Sequence, residues 1–296
     1  MNQPAQLDAY GDAIAKGYLP IREVAALTGV NPVTLRAWER RYGLIVPHRT
    51  AKGHRLYSGE QVQAIRDVLG WLNRGVSVGQ VKGLLHADQP LPEDQASRWQ
   101  EKRQHLVDAL LRLDERQLDE AFNAELSLYP PLVLCQHLLL PLLNALEPNW
   151  QETERLFFCS WLRSKLGARV YHDNRQHQGH SLLLVNLDRG PISPQLWLCA
   201  WLIGTAGCRV DTFDGAIPAD EVSQAIARLQ PRAALLFCGA DSAERLRPWL
   251  DRQGHPRLLV GLPTSLADDV ADDPDIISVA DTLAALHALA DRRLLE

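Results

Sequence analysis

The chain has little cysteine, and what it has is badly placed for metal or disulfide chemistry. Its five cysteines, Cys135, Cys159, Cys199, Cys208 and Cys238, lie far apart with no Cys-x-x-Cys pair. That argues against a zinc ribbon and a disulfide framework, and a reduced, cytoplasmic compartment is expected. No stretch reaches the roughly 18 apolar residues of a membrane span, so no membrane partner is expected. The opening MNQPAQLDAYGD has no basic segment leading into an apolar core, so no secretory signal is expected. Repeats of solenoid period and low-complexity tracts are missing. Gly190 and Gly239 follow strands but stand alone, which is not a dinucleotide-binding fingerprint. A nucleophile–base pair, a metal box and a phosphate loop are all lacking, so no enzyme is expected. His172, His177 and His180 have only Asp173 beside them and read as a solvated connector rather than a metal site.

What is present is core and charge asymmetry. Of 296 residues, 46% are hydrophobic and 23% charged, enough to bury a sizeable interior. The length fits two or three domains of about 100–150 residues. The net charge is −5, but between Ile21 and His86 ten Lys/Arg face four Asp/Glu. A basic module on an otherwise acidic chain fits one nucleic-acid-facing part or a solvated charged surface; charge alone leaves both open.

Periodicity then orders the chain. Residues 1–19 read as a flexible leader. Ile21–Thr28 has apolar residues at helical spacing and ends at Gly29. Asn31 suits an N-cap and Pro32 the first helical position. A second helix is expected from Pro32 to Tyr42, closed by Gly43, so the order is helix, glycine turn, helix. Lys52-Gly53 marks a turn between two short extended arms, a β-wing. Ser58, with Gln61 three residues on, opens a helix to Asn73 as a capping box. Ser77 caps a shorter helix to about His86, and Asp88–Pro92 is a proline-bearing linker. Four helices, 95–112, 114–127, 130–146 and 150–170, suggest an up-down bundle. From Ser181 strand and helix alternate: strands Leu182–Val185, Arg209–Phe213, Ala233–Cys238, Arg257–Gly261 and Ile276–Val279, with helices Pro194–Ala206, Ala219–Leu229, Ala243–Gln253 and Asp281–Leu295 between and after them. Apolar strands in that alternation predict a parallel, doubly wound sheet, whose ligand edge would lie at Asp188.

The segment Thr34-Leu-Arg-Ala-Trp-Glu-Arg-Arg-Tyr-Gly-Leu44 carries most information. A helix in a major groove needs polar and basic side chains outside and apolar ones inside. Thr34, Arg36, Arg40 and Arg41 are expected outward; Val33, Leu35 and Trp38 are expected inward. The wing adds Arg49, Lys52, His54 and Arg55, which could grip phosphates or enter the minor groove. Trp38 reads as a core anchor, Tyr42 suits either packing or contact, and Tyr57 packs more readily than it reaches phosphate. Glu39 and Arg40 could also simply be solvated.

These residues, with Ile21-Arg-Glu-Val-Ala and Gly53-His-Arg-Leu-Tyr57, resemble the MerR family of transcription regulators, in its CarH/LitR and MlrA-like branch. The likeness is dense over residues 20 to about 87. It implies a multidomain α and α/β chain: a winged helix-turn-helix over 20–90, a four-helix bundle over 91–178, and a Rossmann-like, B12-binding-like sensor or oligomerisation domain over 179–296. It implies a homodimer or tetramer on double-stranded promoter DNA, with Arg36, Arg40, Arg41, His54 and Arg55 facing the duplex. In this branch the bundle and α/β domain hold a cobalamin, through a tryptophan and a downstream Glu-His pair on the bundle and a histidine in the loop after the first strand. Here Leu146 falls at the tryptophan, Leu156-Phe157 at the Glu-His pair, and the loop Asn186–Pro194 has no histidine. The expectation is therefore a repressor or a light- or stress-responsive switch, acting without cobalamin or other cofactor and signalled through a partner protein such as a photoreceptor or a second-messenger enzyme. The alternative is a light sensor that itself binds cobalamin or another small ligand.

Overall fold

A computed structural model describes residues 10–85, 95–146, 151–188, 193–238, 257–260 and 276–295. The expected linker at 88–92, the helix Ala243–Gln253, Gly190 and Gly239 lie outside them. The chain divides into two compact units, Met1–Asn149 and Trp150–Glu296.

The first unit begins with α1 (Tyr10–Ala15) and β1 (Leu19–Pro20). The leader reading thus fails over residues 10–19: Ala13 is fully buried, and β1 adds to the wing sheet through Leu19↔Tyr57 and Pro20↔Leu56. The short length and weak periodicity of this stretch hid it from sequence. Next come α2 (Ile21–Thr28), stopped by left-handed Gly29, and α3 (Pro32–Ala37). The Asn31 side chain accepts from the Val33 and Thr34 amides at 2.9 Å each, occupying two otherwise orphaned donors at the start of α3. From Trp38 to Tyr42 the helix widens to π geometry, and Gly43 at φ 57° ends it. The wing strands are β2 (His48–Arg49) and β3 (Arg55–Tyr57), giving an antiparallel sheet in the order β1-β3-β2. Helix α4 (Gly59–Asn73) starts with the expected Ser58–Gln61 capping box, and α5 (Val78–Leu84) follows. Val24, Leu35, Trp38, Leu56, Ile65, Val68 and Leu72 fill the core of this head.

The same unit continues through α6 (Gln95–Leu111), α7 (Glu115–Leu126), α8 (Pro131–Leu134), a π segment (Cys135–Leu139) and α9 (Leu140–Leu146). Polar tips of aromatic residues join the head to these helices. The Trp38 indole donates to the Leu128 carbonyl at 2.8 Å, and the Trp99 indole to that of Gly75 at 2.8 Å. His137 Nε2 bonds the Asn73 carbonyl at 3.0 Å, with its ring stacked on Trp99. Buried indoles satisfied in this way lock orientation as well as area.

The second unit opens with α10 (Glu152–Asn174), whose buried Phe158, Leu162, Leu166 and Val170 recur every fourth residue. Then come β4 (Ser181–Asn186), α11 (Pro194–Thr205), β5 (Arg209–Phe213), α12 (Ala219–Leu229), β6 (Ala233–Phe237), β7 (Arg257–Val260), β8 (Ile276–Val279) and α13 (Thr282–Asp291). The five strands are all parallel in the order β5-β4-β6-β7-β8. Alternate β4 and β6 side chains, Leu183, Val185, Ala234 and Leu236, pack in one cluster with Val222 and Ile226 of α12. Asn174 at the end of α10 pairs with both backbone groups of Val210, at 2.7 and 2.9 Å, stitching the helix to β5. Gly167 lies under the Trp197 ring, where a Cβ would come within 3.3 Å. None of the five cysteines forms a disulfide, and burial pushes the Cys199 and Cys238 thiols up to about 12, leaving them unreactive.

Candidate nucleic-acid interface

Solvent exposure divides the segment Pro32–Tyr42 into an inner and an outer face. Val33, Arg36 and Arg40 are exposed at i, i+3 and i+7, and Arg41 beside them is exposed as well. Thr34 lies inward at 0% exposure, its hydroxyl without a hydrogen-bond partner among the described residues, while Val33 is 58% exposed. The expectations for these neighbours are reversed. Asn31 caps α3 through the Val33 and Thr34 amides, and the register so fixed puts Thr34 on the same inner stripe as Trp38, four residues on. Tyr57 is likewise 1% exposed and cannot reach a ligand from this position. It belongs to the core because β3 is the central strand of the wing sheet. Tyr42 is half-buried, with its ring edge 3.6 Å from a Cβ placed at Gly79.

The wing turns over Thr50–Gly53. The Gly53 amide donates to the Thr50 carbonyl at 2.8 Å, and Gly53 takes φ 80°, where a side chain would be strained. Arg49, Lys52 and His54 are exposed and Arg55 is half-buried. One carboxylate joins wing and recognition segment. Glu39 Oε1 accepts from Arg49 Nη2 at 2.5 Å, and Oε2 from Arg55 Nε at 2.6 Å. Burial pushes the Glu39 carboxyl up, but its hydrogen bonds and charge contacts with Arg55 and Arg49 outweigh this and hold it below the ordinary carboxylate value. Lys82 on α5 approaches the end of the recognition segment, 3.2 Å from a Cβ placed at Gly43. Six cationic side chains (Arg36, Arg40, Arg41, Arg49, Lys52 and Arg55) thus lie on two elements tied together through Glu39. Sequence reading missed Val33 and Glu39. The i, i+3, i+7 spacing with Arg36 and Arg40 could have found the first; only the fold brings Glu39 to the wing.

The ligand edge of the second unit looks different. In a sheet of this order the crevice opens between β4 and β6, beyond their C-terminal ends. There Asn186 uses its own side chain locally, donating to the Asp214 carbonyl at 3.1 Å and accepting from the Asp188 amide at 3.1 Å. Leu187 and Cys238 beside it are buried. Among the described residues no group of three His, Cys, Asp or Glu side chains could hold a metal ion. His177 Nε2 instead bonds the Gly204 carbonyl at 3.2 Å, and His172 bonds Gln176.

A winged helix-turn-helix head followed by helices and a parallel α/β unit defines a regulator of the helix-turn-helix class. Residues 19–88 match the MerR HTH family regulatory protein model, and residues 102–159 match a B12 binding domain model. The chain is 30% identical over 248 residues to the HTH-type transcriptional regulator MlrA of Escherichia coli K12, covering 82% of this chain and 98% of that protein. It is 31% identical over 221 residues to MlrA of Salmonella typhimurium LT2, covering 74% and 87%. It is 25% identical over 267 residues to the HTH-type transcriptional repressor CarH of Myxococcus xanthus, covering 82% and 86%. Among solved structures, the Methanosarcina barkeri monomethylamine corrinoid protein aligns with 13% identity and TM-score 0.49, over 65% of this chain and 99% of that one. The chain belongs to the MerR family of HTH-type transcriptional regulators, in the branch that holds MlrA and CarH.

The match of residues 102–159 to a B12 binding domain model raises the question of cobalamin. The residues present do not fit its cobalt. The stretch from Ser181 to Gly254 contains no histidine, and at the end of β4 an asparagine already committed to backbone bonds stands first in the loop. On α10, Leu156, exposed at 42%, and Phe157 occupy the positions where the resemblance noted above implies a Glu-His pair. This loop thus offers no lower imidazole ligand.

Proposed function

We propose that this chain is a dimeric switch on double-stranded promoter DNA. Val33, Arg36, Arg40 and Arg41 would read or grip the major groove, and Arg49, Lys52, His54 and Arg55 of the wing would hold flanking backbone. Arginine suits bidentate contact with guanine, and the Val33 methyls suit the methyl group of thymine. The observation that carries this reading is the exposed cationic set shared by recognition segment and wing, joined through Glu39. In a dimer the two recognition helices would enter major grooves about 34–36 Å apart, reading an inverted repeat. The second unit sets subunit geometry in this reading. A signal that favours one spacing of the heads shifts occupancy of the site. With the cobalt donors missing, that signal reaches the second unit through a partner protein, such as a photoreceptor or a second-messenger enzyme, rather than through a light-absorbing cofactor. The rival, a sensor that binds cobalamin itself, has the B12 domain match behind it and the donor set against it.

Genome-wide footprinting of the full chain, with and without light and candidate stress signals, tests the proposal. Protected sites should be spaced inverted repeats. Diffuse, sequence-independent protection at all salt concentrations overturns promoter recognition, and a light response by the purified chain alone overturns the partner.

A further inference from the structure

The wing contains an electrostatic conflict in its own register. Arg49 and Arg55 are direct cross-strand partners of β2 and β3, and like charges placed opposite one another destabilise a strand pair. Glu39 resolves the conflict from outside the sheet. Its two oxygens divide between the two guanidiniums, one each, so a single carboxylate bridges both strands. The Glu39 side chain is only 12% exposed, against 47% for Arg49 and 26% for Arg55, so the acid sits behind the bases. A guanidinium carries five donors in a fixed fork. Each arginine turns one hydrogen-bonded nitrogen toward Glu39 and keeps further N–H groups for an outside acceptor. The triad retains one net positive charge. Tyr57, buried beneath the wing, is pushed up to about 12 by burial and by the Glu39 charge, so it stays neutral and adds no rival anion.

We propose that Glu39 is the positioning residue of the interface: it fixes both wing arginines to the recognition segment, so that wing and helix meet one stretch of DNA backbone as a single preset surface. This rests on the duplex-binding reading above. Glu39 does not touch DNA itself. It removes the freedom the two long side chains would otherwise lose on binding, and it sets the angle of the wing.

Anisotropy titrations of the full chain test this, using a duplex that the wild-type protein has selected from a randomised pool, over a series of salt concentrations. Glu39→Gln keeps the shape but cannot hold both guanidiniums as a charged fork. It should weaken binding about tenfold, while the slope of log affinity against log salt stays near that of wild type because the phosphate count is unchanged. In an Arg49→Ala/Arg55→Ala background the same substitution should have no further effect. A merely structural role would lower the melting temperature and leave this pairwise coupling absent, so melts of each variant accompany the titrations. If Glu39→Gln binds as tightly as wild type while Arg41→Ala is weakened, the positioning role is overturned and duplex binding stands. Tighter binding with a steeper slope makes Glu39 a competitor of phosphate and overturns the proposal from the other side. If no form of the chain binds duplex in a salt-sensitive way, the duplex reading falls and this inference falls with it.

Discussion

The recognition face of the first unit and the ligand edge of the second are both places where their folds put ligands, and they are equipped in opposite ways. On the first, Arg36, Arg40, Arg41, Arg49 and Lys52 stand in solvent, and a buried-side carboxylate arranges two of the wing cations. On the second, Asn186 is turned back on Asp214 and Asp188, and its described neighbours Leu187, Phe237 and Cys238 are buried. A fold and its site are separable: the parallel sheet order persists because apolar strands and helices hold it, whereas the cofactor donors are few and can vanish without cost to packing.

The largest expected effect bears on the core behind the recognition face. Trp38→Ala removes a fully buried indole and its bond to Leu128, and should cost about 3–5 kcal/mol of stability. Thermal melts should show this loss together with lost DNA affinity; an unchanged melt would show that the head does not depend on this anchor.

Arg41→Ala comes next, with about 1–3 kcal/mol of specific binding lost if its guanidinium is bidentate to guanine. Competition with mismatched duplexes should show relaxed preference at one base pair. Lys52→Ala should instead weaken all duplexes alike and lower the salt slope by about one unit. If the two variants behave identically, helix and wing do not divide readout from grip.

A smaller effect concerns pH. Burial pushes the His137 imidazole below its ordinary 6.5, and Arg103 adds to this while the Asn73 carbonyl opposes it. The folded chain therefore keeps this ring neutral. As pH falls through the ordinary imidazole value, the unfolded chain takes the proton first, so stability present above that value declines below it. Melts of the full chain at about pH 7.5 and about pH 5.5 should show a larger fall for wild type than for His137→Gln. Equal falls would mean that His137 is not the group responsible.

The smallest expected effect is none at all. Hydroxocobalamin, incubated with the purified chain and then passed through gel filtration, should leave no visible absorbance with the protein and no shift in its melt. Retained colour would show that the second unit has kept what its loop composition says it lost.

Much was legible without coordinates. Capping residues and glycines announced α2, α3, α4 and the wing turn, because each acts within a few residues of itself. Bounds at Ile21–Thr28, Arg209–Phe213, Ala219–Leu229 and Ile276–Val279 are as periodicity and punctuation indicated. Less visible were α1 and β1, too short to show a period, and the π segment at Trp38–Tyr42, which leaves the apolar pattern intact while shifting its phase.

The sequence alone indicated most of the elements from α2 onward, the cluster of cations near its start and the missing histidine of the β4 loop, because these depend on residue type and near-neighbour spacing. Tertiary structure decided that Thr34 turns inward while Val33 turns out, that Tyr57 is core, and that Glu39 reaches across to Arg49 and Arg55. Each of those depends on how a helix is rotated against strands ten or more residues away, and the packing of Trp38 and Leu56 beneath the head fixes that rotation.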